Sequence, residues 1–430
     1  MAVIFDLHSF VPGPLVRPIR TASFYLNLTL KTTASEFPDV GEHIQELRAI
    51  SPQELMFFTG GSGVAVLLSL VGLVMLFWRK KEVALCLLPG VALGLGALLS
   101  RRYLIFFIPV YALGFGYFLG EVFLNSVHVR RWLKEPLAFC VSLLLCFILL
   151  IHAFAHCLTK TMIPRFTADR VPLARSLKTE TPPQTTVWAH WDEGFFLQYF
   201  GRRRTFIDGS MQSPLRFFLA AFPLGCDNPV LAANWMRFFS VNDIQGFHAL
   251  RTQLGSTEKT VALLKQVLAN PDQGEKILTD FGLEPDEWKG RLFPDSANAA
   301  FLTPDLLGQT SYWWFYGSWN VQEQSGRELS IGRVDSRFGS PQDTGPRGII
   351  GRYKYGMIFD LDSSGVKIEE IDSKAEYILI RMKGQQYSYL AEKELLGSMV
   401  GRLLYANPNR TEPFRTILYK PLVGGVWAVD

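Results

Sequence analysis

Three short stretches bring together side chains able to bind or polarise a ligand. In His190-Trp191-Asp192-Glu193-Gly194 an imidazole, an indole and two carboxylates precede a glycine. The motif closes Thr185–Trp191, which reads as a short buried strand, and opens a helix over Asp192–Phe200, with a second strand over Thr205–Asp208. The C-terminal ends of such strands are where α/β sheets place ligands. Asp192 stands where a carboxylate can cap the helix, and Glu193 beside it could raise the pKa of one of the two. Arg101 and Arg102 form a cationic pair between two apolar runs. Guanidinium forks match phosphate oxygens, whereas arginines snorkelling at a helix end are the plainer alternative. Glu36, in Thr33-Ala34-Ser35-Glu36, is by itself a loop carboxylate. Glu121, His152 and His156 lie towards the ends of apolar runs, where interfacial or helix–helix hydrogen bonding is expected. The i, i+4 histidines have a spacing seen in metal sites, but no carboxylate accompanies them, and no metal ligand is assigned.

The elements that must position these residues divide into two kinds. Of 430 residues, 48% are apolar, too many for an ordinary soluble protein and too few for membrane helices alone. Four apolar runs approach the roughly 20 residues that span a hydrocarbon layer: 55–78, 83–99, 103–124 and 137–158. They predict four transmembrane helices. The loops at Arg79-Lys80-Lys81 and Arg130-Arg131 share one side and are basic, which places them in the cytoplasm. Residues 1–54, the Arg101-Arg102 loop and everything after 158 are then external. No signal peptide opens the chain, so export of residues 1–54 calls for upstream helices, and the chain reads as the end of a longer protein or one product of a split gene. Residues 159–328 are expected to form a soluble α/β domain, with helices at 214–222, 229–250 and 257–269. From 329 to 430 alternating segments predict a β-rich portion. A net charge of +4 without basic–aromatic blocks excludes nucleic acid, and five scattered cysteines form neither a disulfide framework nor a zinc site.

These motifs together resemble those of the oligosaccharyltransferase catalytic subunits. His190-Trp191-Asp192-Glu193-Gly194 is similar to that family's Trp-Trp-Asp-Tyr-Gly signature, and Thr33-Ala34-Ser35-Glu36 resembles its Thr-x-x-Glu loop element. The segment Ser100-Arg101-Arg102-Tyr103-Leu104, continuing to Tyr111-Ala112-Leu113-Gly114, looks like the bacterial single-subunit enzymes. All three occur in the family's order around four helices. The resemblance implies the C-terminal four helices of a GT-C type membrane bundle followed by the soluble domain, in the inner membrane with that domain on the periplasmic or external side.

The activity implied is transfer of a glycan from a polyprenyl-pyrophosphate carrier to the asparagine of Asn-x-Ser/Thr, with the lipid-linked oligosaccharide and the acceptor polypeptide as partners and Mg²⁺ or Mn²⁺ as cofactor. By the same resemblance Glu36 links the metal site to the acceptor amide, and Arg102, with Arg101 beside it, contacts the pyrophosphate. Trp191 and Asp192 bind the acceptor's hydroxyl, with His190 in place of the first Trp and Glu193 in place of the Tyr. Arg48 stands where some members read an acidic residue before the asparagine, and Leu307 where they carry an apolar residue touching the Ser/Thr. The family's remaining metal carboxylates lie in N-terminal loops that this sequence does not contain. The expectation is a chain that turns over only with a separate N-terminal half, the alternative being a membrane-anchored binder of acceptor peptide or glycan without catalysis.

Overall fold

The computed structural model describes residues 36–38, 50, 51, 54, 63–96, 101–121, scattered positions from 136 to 147, and 166–430 apart from 310, 336–347, 407 and 410. The chain forms two compact units, one of residues 1–34 and 41–165, the other of residues 35–40 and 166–430.

In the first unit, α1 (Gly63–Arg79), α2 (Lys81–Leu95) and α3 (Leu104–Leu119) fall within three of the apolar runs. The fourth run lies largely outside the described residues, as do His152 and His156. Among the described residues no helix is long and apolar enough to cross a membrane. The longest of the first unit's three, at 17 described residues, extends about 25 Å at 1.5 Å per residue, against a hydrocarbon core of ~30 Å. Apolar side chains nevertheless face outward as well as inward. Val64, Leu67, Val74, Leu85 and Ile105 are exposed, while Ser69 is fully buried and donates to the Tyr111 carbonyl. A Cβ on Gly72 would stand 1.8 Å from the Gly114 carbonyl oxygen, so α1 and α3 approach as closely as two glycines allow. Glu121 pairs with Arg79, the helix–helix role expected of it.

The second unit is built on a five-stranded sheet of order β10-β11-β3-β1-β2. Here β1 is Thr186–Trp188, β2 Arg204–Thr205, β3 Asn298–Leu302, β10 Phe414–Lys420 and β11 Gly424–Val429. The strands β1, β2 and β3 are mutually parallel, and β11 runs antiparallel to β3. All residues of β1, β3 and β11 are buried, which is why they show continuous apolar character rather than alternation. On one face lie α4 (Arg170–Glu180) and α5 (Gly194–Gly201), whose Leu173, Leu177, Phe196 and Leu197 pack on Val187, Phe301 and Val426.

Three longer helices follow: α6 (Pro214–Gly225), α7 (Pro229–Leu254) and α8 (Thr257–Ala269). Each begins at a residue whose side chain accepts a backbone N–H, namely Ser213, Asn228 and Ser256, and the first two carry proline at the first helical position. Helix α7 is kinked at Asp243, whose φ of 51° and ψ of −158° fall outside the region open to side-chain-bearing residues. Its carboxylate is held at 2.7 Å by Arg216 of α6. The β-rich portion forms a second sheet, β4-β9-β8-β6-β5 with β7 paired to β6, of strands Ile331–Asp335 (β4), Ile349–Ile350 (β5), Tyr353–Asp362 (β6), Gly365–Glu370 (β7), Tyr377–Met382 (β8) and Tyr387–Glu392 (β9). The last two strands of the chain return to the first sheet.

Candidate functional site

The site grows from the end of β1. Trp188 closes the strand with its indole N–H shared between Asn298 Oδ1 at 3.1 Å and Ser240 Oγ at 3.3 Å, its ring stacked on Phe206 at 4.1 Å. The chain then leaves the sheet. His190 is extended, at φ −60° and ψ 138°, and its Nδ1 accepts the Asp192 backbone N–H at 3.3 Å. That bond caps a 3-10 turn, Trp191–Glu193, which runs into α5. The capping residue is therefore His190 and not Asp192, as the sequence had suggested. The His190 ring packs edge-on against Tyr312 at 4.6 Å, and Trp191 lies 6.1 Å from Phe217. Asp192 itself is half-buried.

Glu193 turns the other way. Its side chain is buried, accepts the Thr303 hydroxyl at 3.1 Å and lies 3.8 Å from Arg170, which also pairs with Asp305. Thr303 and Asp305 follow β3 directly, so the ends of two parallel strands meet here. One group on which the Glu193 charge acts is Tyr312, whose hydroxyl is raised well above the ordinary tyrosine value by burial first and by Glu193 second. Behind the turn Asp208 is buried, accepting from Gln198 Nε2 and from the Ser210 backbone N–H at 2.8 Å each, and from Ser210 Oγ at 2.7 Å. Gly194 fits against its backbone.

Glu36 belongs to the same unit although it is remote in sequence. Its Oε2 accepts the Thr257 hydroxyl at 2.6 Å and lies 3.2 Å from Arg251 Nη2, and its carbonyl accepts the Trp319 indole N–H at 3.0 Å. Phe37 is buried between Phe218 at 5.2 Å and Phe247 at 5.9 Å. Neighbouring residues of α6 thus serve two motifs: Phe217 meets Trp191, and Phe218 meets Phe37.

The other expected residues are placed differently. Leu307 is 1% exposed and packs in the core, since its 3-10 turn, Pro304–Gln309, is folded inward under Trp313. Arg101 and Arg102 share a 3-10 turn ahead of α3 in the first unit, Arg101 half-buried. Arg48 lies outside the described residues, as do Thr33, Ala34 and Ser35. Among the described residues no group of three or more His, Cys, Asp or Glu side chains stands together as cation ligands. Sequence reasoning passed over Arg170, Asp208, Thr303 and Tyr312 around the signature, and Phe37, Arg251, Thr257 and Trp319 around Glu36. The Thr303-Pro304-Asp305 after a buried strand was a usable signal for one of them, Thr303.

Residues 183–270, from before β1 through the Asp192 turn to the end of α8, match the STT3/PglB/AglB core domain. Over this stretch the chain is similar to the oligosaccharyltransferase catalytic subunits. It is 27% identical over 228 residues to the undecaprenyl-diphosphooligosaccharide–protein glycotransferase of Campylobacter jejuni, covering 53% of this chain and 31% of that protein. With the dolichyl-phosphooligosaccharide-protein glycotransferase of Methanocaldococcus jannaschii it shares 22% identity over 231 residues, 50% of this chain and 24% of that one. It thus spans about a third or less of the length of these oligosaccharyltransferases. Among solved structures, the Campylobacter jejuni PglB C-terminal domain aligns with 61% of this chain and 99% of its own at 14% identity and a TM-score of 0.41. Archaeoglobus fulgidus AglB, solved with an inhibitory peptide and a dolichol-phosphate, aligns with 97% of this chain and 43% of its own at 10% identity and a TM-score of 0.45.

Proposed function

We propose that this chain holds the acceptor polypeptide in protein N-glycosylation, presenting an asparagine of Asn-x-Ser/Thr to a polyprenyl-pyrophosphate-linked oligosaccharide. In that reaction the amide nitrogen bonds to the anomeric carbon, the carbon–oxygen bond to the diphosphate breaks, and one amide proton is released. An amide nitrogen is a poor nucleophile, so a carboxylate must hold and polarise its N–H; Glu36 takes that part. Asp192 accepts the hydroxyl of the Ser/Thr two residues on, and Trp191 walls its methyl group. His190 keeps this turn in shape through its cap. Arg102, with Arg101, pairs with the diphosphate as it leaves. Mg²⁺ or Mn²⁺, when bound, would neutralise the same anion; among the described residues no group of three or more His, Cys, Asp or Glu stands together to hold it. The three helices of the first unit, with apolar side chains outward and glycine and serine inward, support a place in the lipid of the inner membrane, with the second unit external.

The observation that carries this reading is the Trp191-Asp192 turn at the C-terminal end of β1 inside the stretch that matches the family core domain. The relatives' glycotransferase activity weighs for a part in transfer over a purely binding role. The test is binding of a fluorescein-labelled Asn-x-Thr peptide to the full chain in detergent micelles, read by anisotropy. Asp192→Ala should weaken binding about tenfold or more, the scale of a charge-assisted hydrogen bond. Equal affinity in the variant and the parent would overturn the assignment.

A further inference from the structure

We propose that Arg251 and Thr257 are positioning residues for Glu36, fixing one oxygen of its carboxylate and leaving the other for the acceptor amide. This rests on the acceptor-holding reading above and extends it to residues outside every motif.

Both donors converge on a single atom, Oε2, with Thr257 Oγ1 at 2.6 Å and Arg251 Nη2 at 3.2 Å. They come from opposite sides of one tight turn. Arg251 is in the last turn of α7, and Gly255, at φ +68°, closes that helix by donating to the Arg251 carbonyl. Ser256 caps α8, and Thr257 is its first residue. The left-handed glycine folds the end of α7 back on the start of α8, so the two donors face the same point. The carboxylate also lies at the N-terminal turn of a 13-residue helix, where the helix dipole favours an anion.

Docking and orientation are separate tasks here. Phe37, buried between two rings, and the Trp319 bond to the Glu36 backbone hold the segment on the domain. Neither constrains the Glu36 side chain. Thr257 and Arg251 bond to the side chain, and the carboxylate is about half exposed, as a group that must meet a ligand should be. A free glutamate in water samples many rotamers. One with a fixed oxygen presents the second in a single direction, which is the arrangement an amide N–H needs from its acceptor.

The same peptide-binding assay on the full chain tests this. Thr257→Val should weaken Asn-x-Thr peptide binding about fivefold, and Arg251→Met about twofold as an exposed pair. Thr257→Ser, which restores the hydroxyl, should recover affinity, a rescue that lost packing would not show. Combined with Glu36→Gln, Thr257→Val should add no further loss. If Glu36→Gln weakens binding while Thr257→Val leaves it unchanged, the positioning role is wrong and the acceptor-holding reading stands. Should Glu36→Gln itself bind like the parent, the role of Glu36 in that reading fails, and the positioning role with it.

Discussion

Gly194→Ala is expected to destabilise the second unit by about 1–3 kcal/mol, the range for adding a methyl group to a packed interior, and to cost peptide affinity as well. The added Cβ would lie 2.4 Å from Asp208 Cβ, 2.7 Å from Asp208 Cα and 2.8 Å from the Ile207 carbonyl oxygen. Two of these are backbone atoms, which cannot swing aside as a side-chain end would. Relief requires either that α5 lifts off, carrying Trp191 and Asp192 with it, or that the Asp208 turn retreats and strains its bonds to Gln198 and Ser210. Either movement displaces the proposed hydroxyl site. A shift in thermal denaturation midpoint together with weaker Asn-x-Thr binding is the expected pair of readings. An unchanged midpoint would show that the glycine is not required by contact with Asp208.

Phe37→Ala should release the Glu36 segment from the domain while leaving the domain folded. Truncating a buried phenylalanine costs about 3–5 kcal/mol. Applied to docking, that is more than a hundredfold in the equilibrium between bound and free segment. Phe37 is 6% exposed and rests on Phe218 and Phe247, so nearly all of its apolar surface depends on the docked state. The polar contacts of Glu36 are partly exposed and cannot make up such a loss. Limited proteolysis near residues 36–38 should accelerate, and peptide affinity should fall at least as far as in Glu36→Gln, with the melting of the domain little changed. Protection equal to the parent's would mean that Phe37 is not the anchor.

Much of this architecture was legible from local signals. The helices expected at 214–222, 229–250 and 257–269 correspond to α6, α7 and α8, because Ser213-Pro214, Asn228-Pro229 and Ser256 punctuate the sequence. The portion expected to be β-rich from 329 onward contains strands such as Tyr377–Met382, bounded by turns. The signature was located at a strand end because strand, turn and helix follow each other directly, from Thr186 to Gly201.

What could not be read depends on distance along the chain. β3 lies beside β1 through the pairing of Val187 with Ala299, and β11 joins them from the C-terminus; neither partner is implied by local sequence. Glu36 and Thr257 are separated by 221 residues. The His190 cap was missed for another reason. An imidazole is seldom the group that starts a helix, so the neighbouring carboxylate seemed the natural cap. Leu307 is of another kind: an apolar residue after a strand suits a ligand-facing wall as well as a core, and here it is buried.

The central claim is that Asp192 receives the acceptor's hydroxyl, and a double-mutant cycle across that contact tests it most directly. Affinities would be measured for Asn-x-Thr and Asn-x-Val peptides against the parent chain and Asp192→Ala. The account predicts that the parent prefers the threonine peptide about tenfold and that Asp192→Ala binds the two peptides alike, a coupling of ~1.4 kcal/mol. If Asp192→Ala keeps the full preference for threonine, the hydroxyl is read elsewhere, and the account of this site is contradicted.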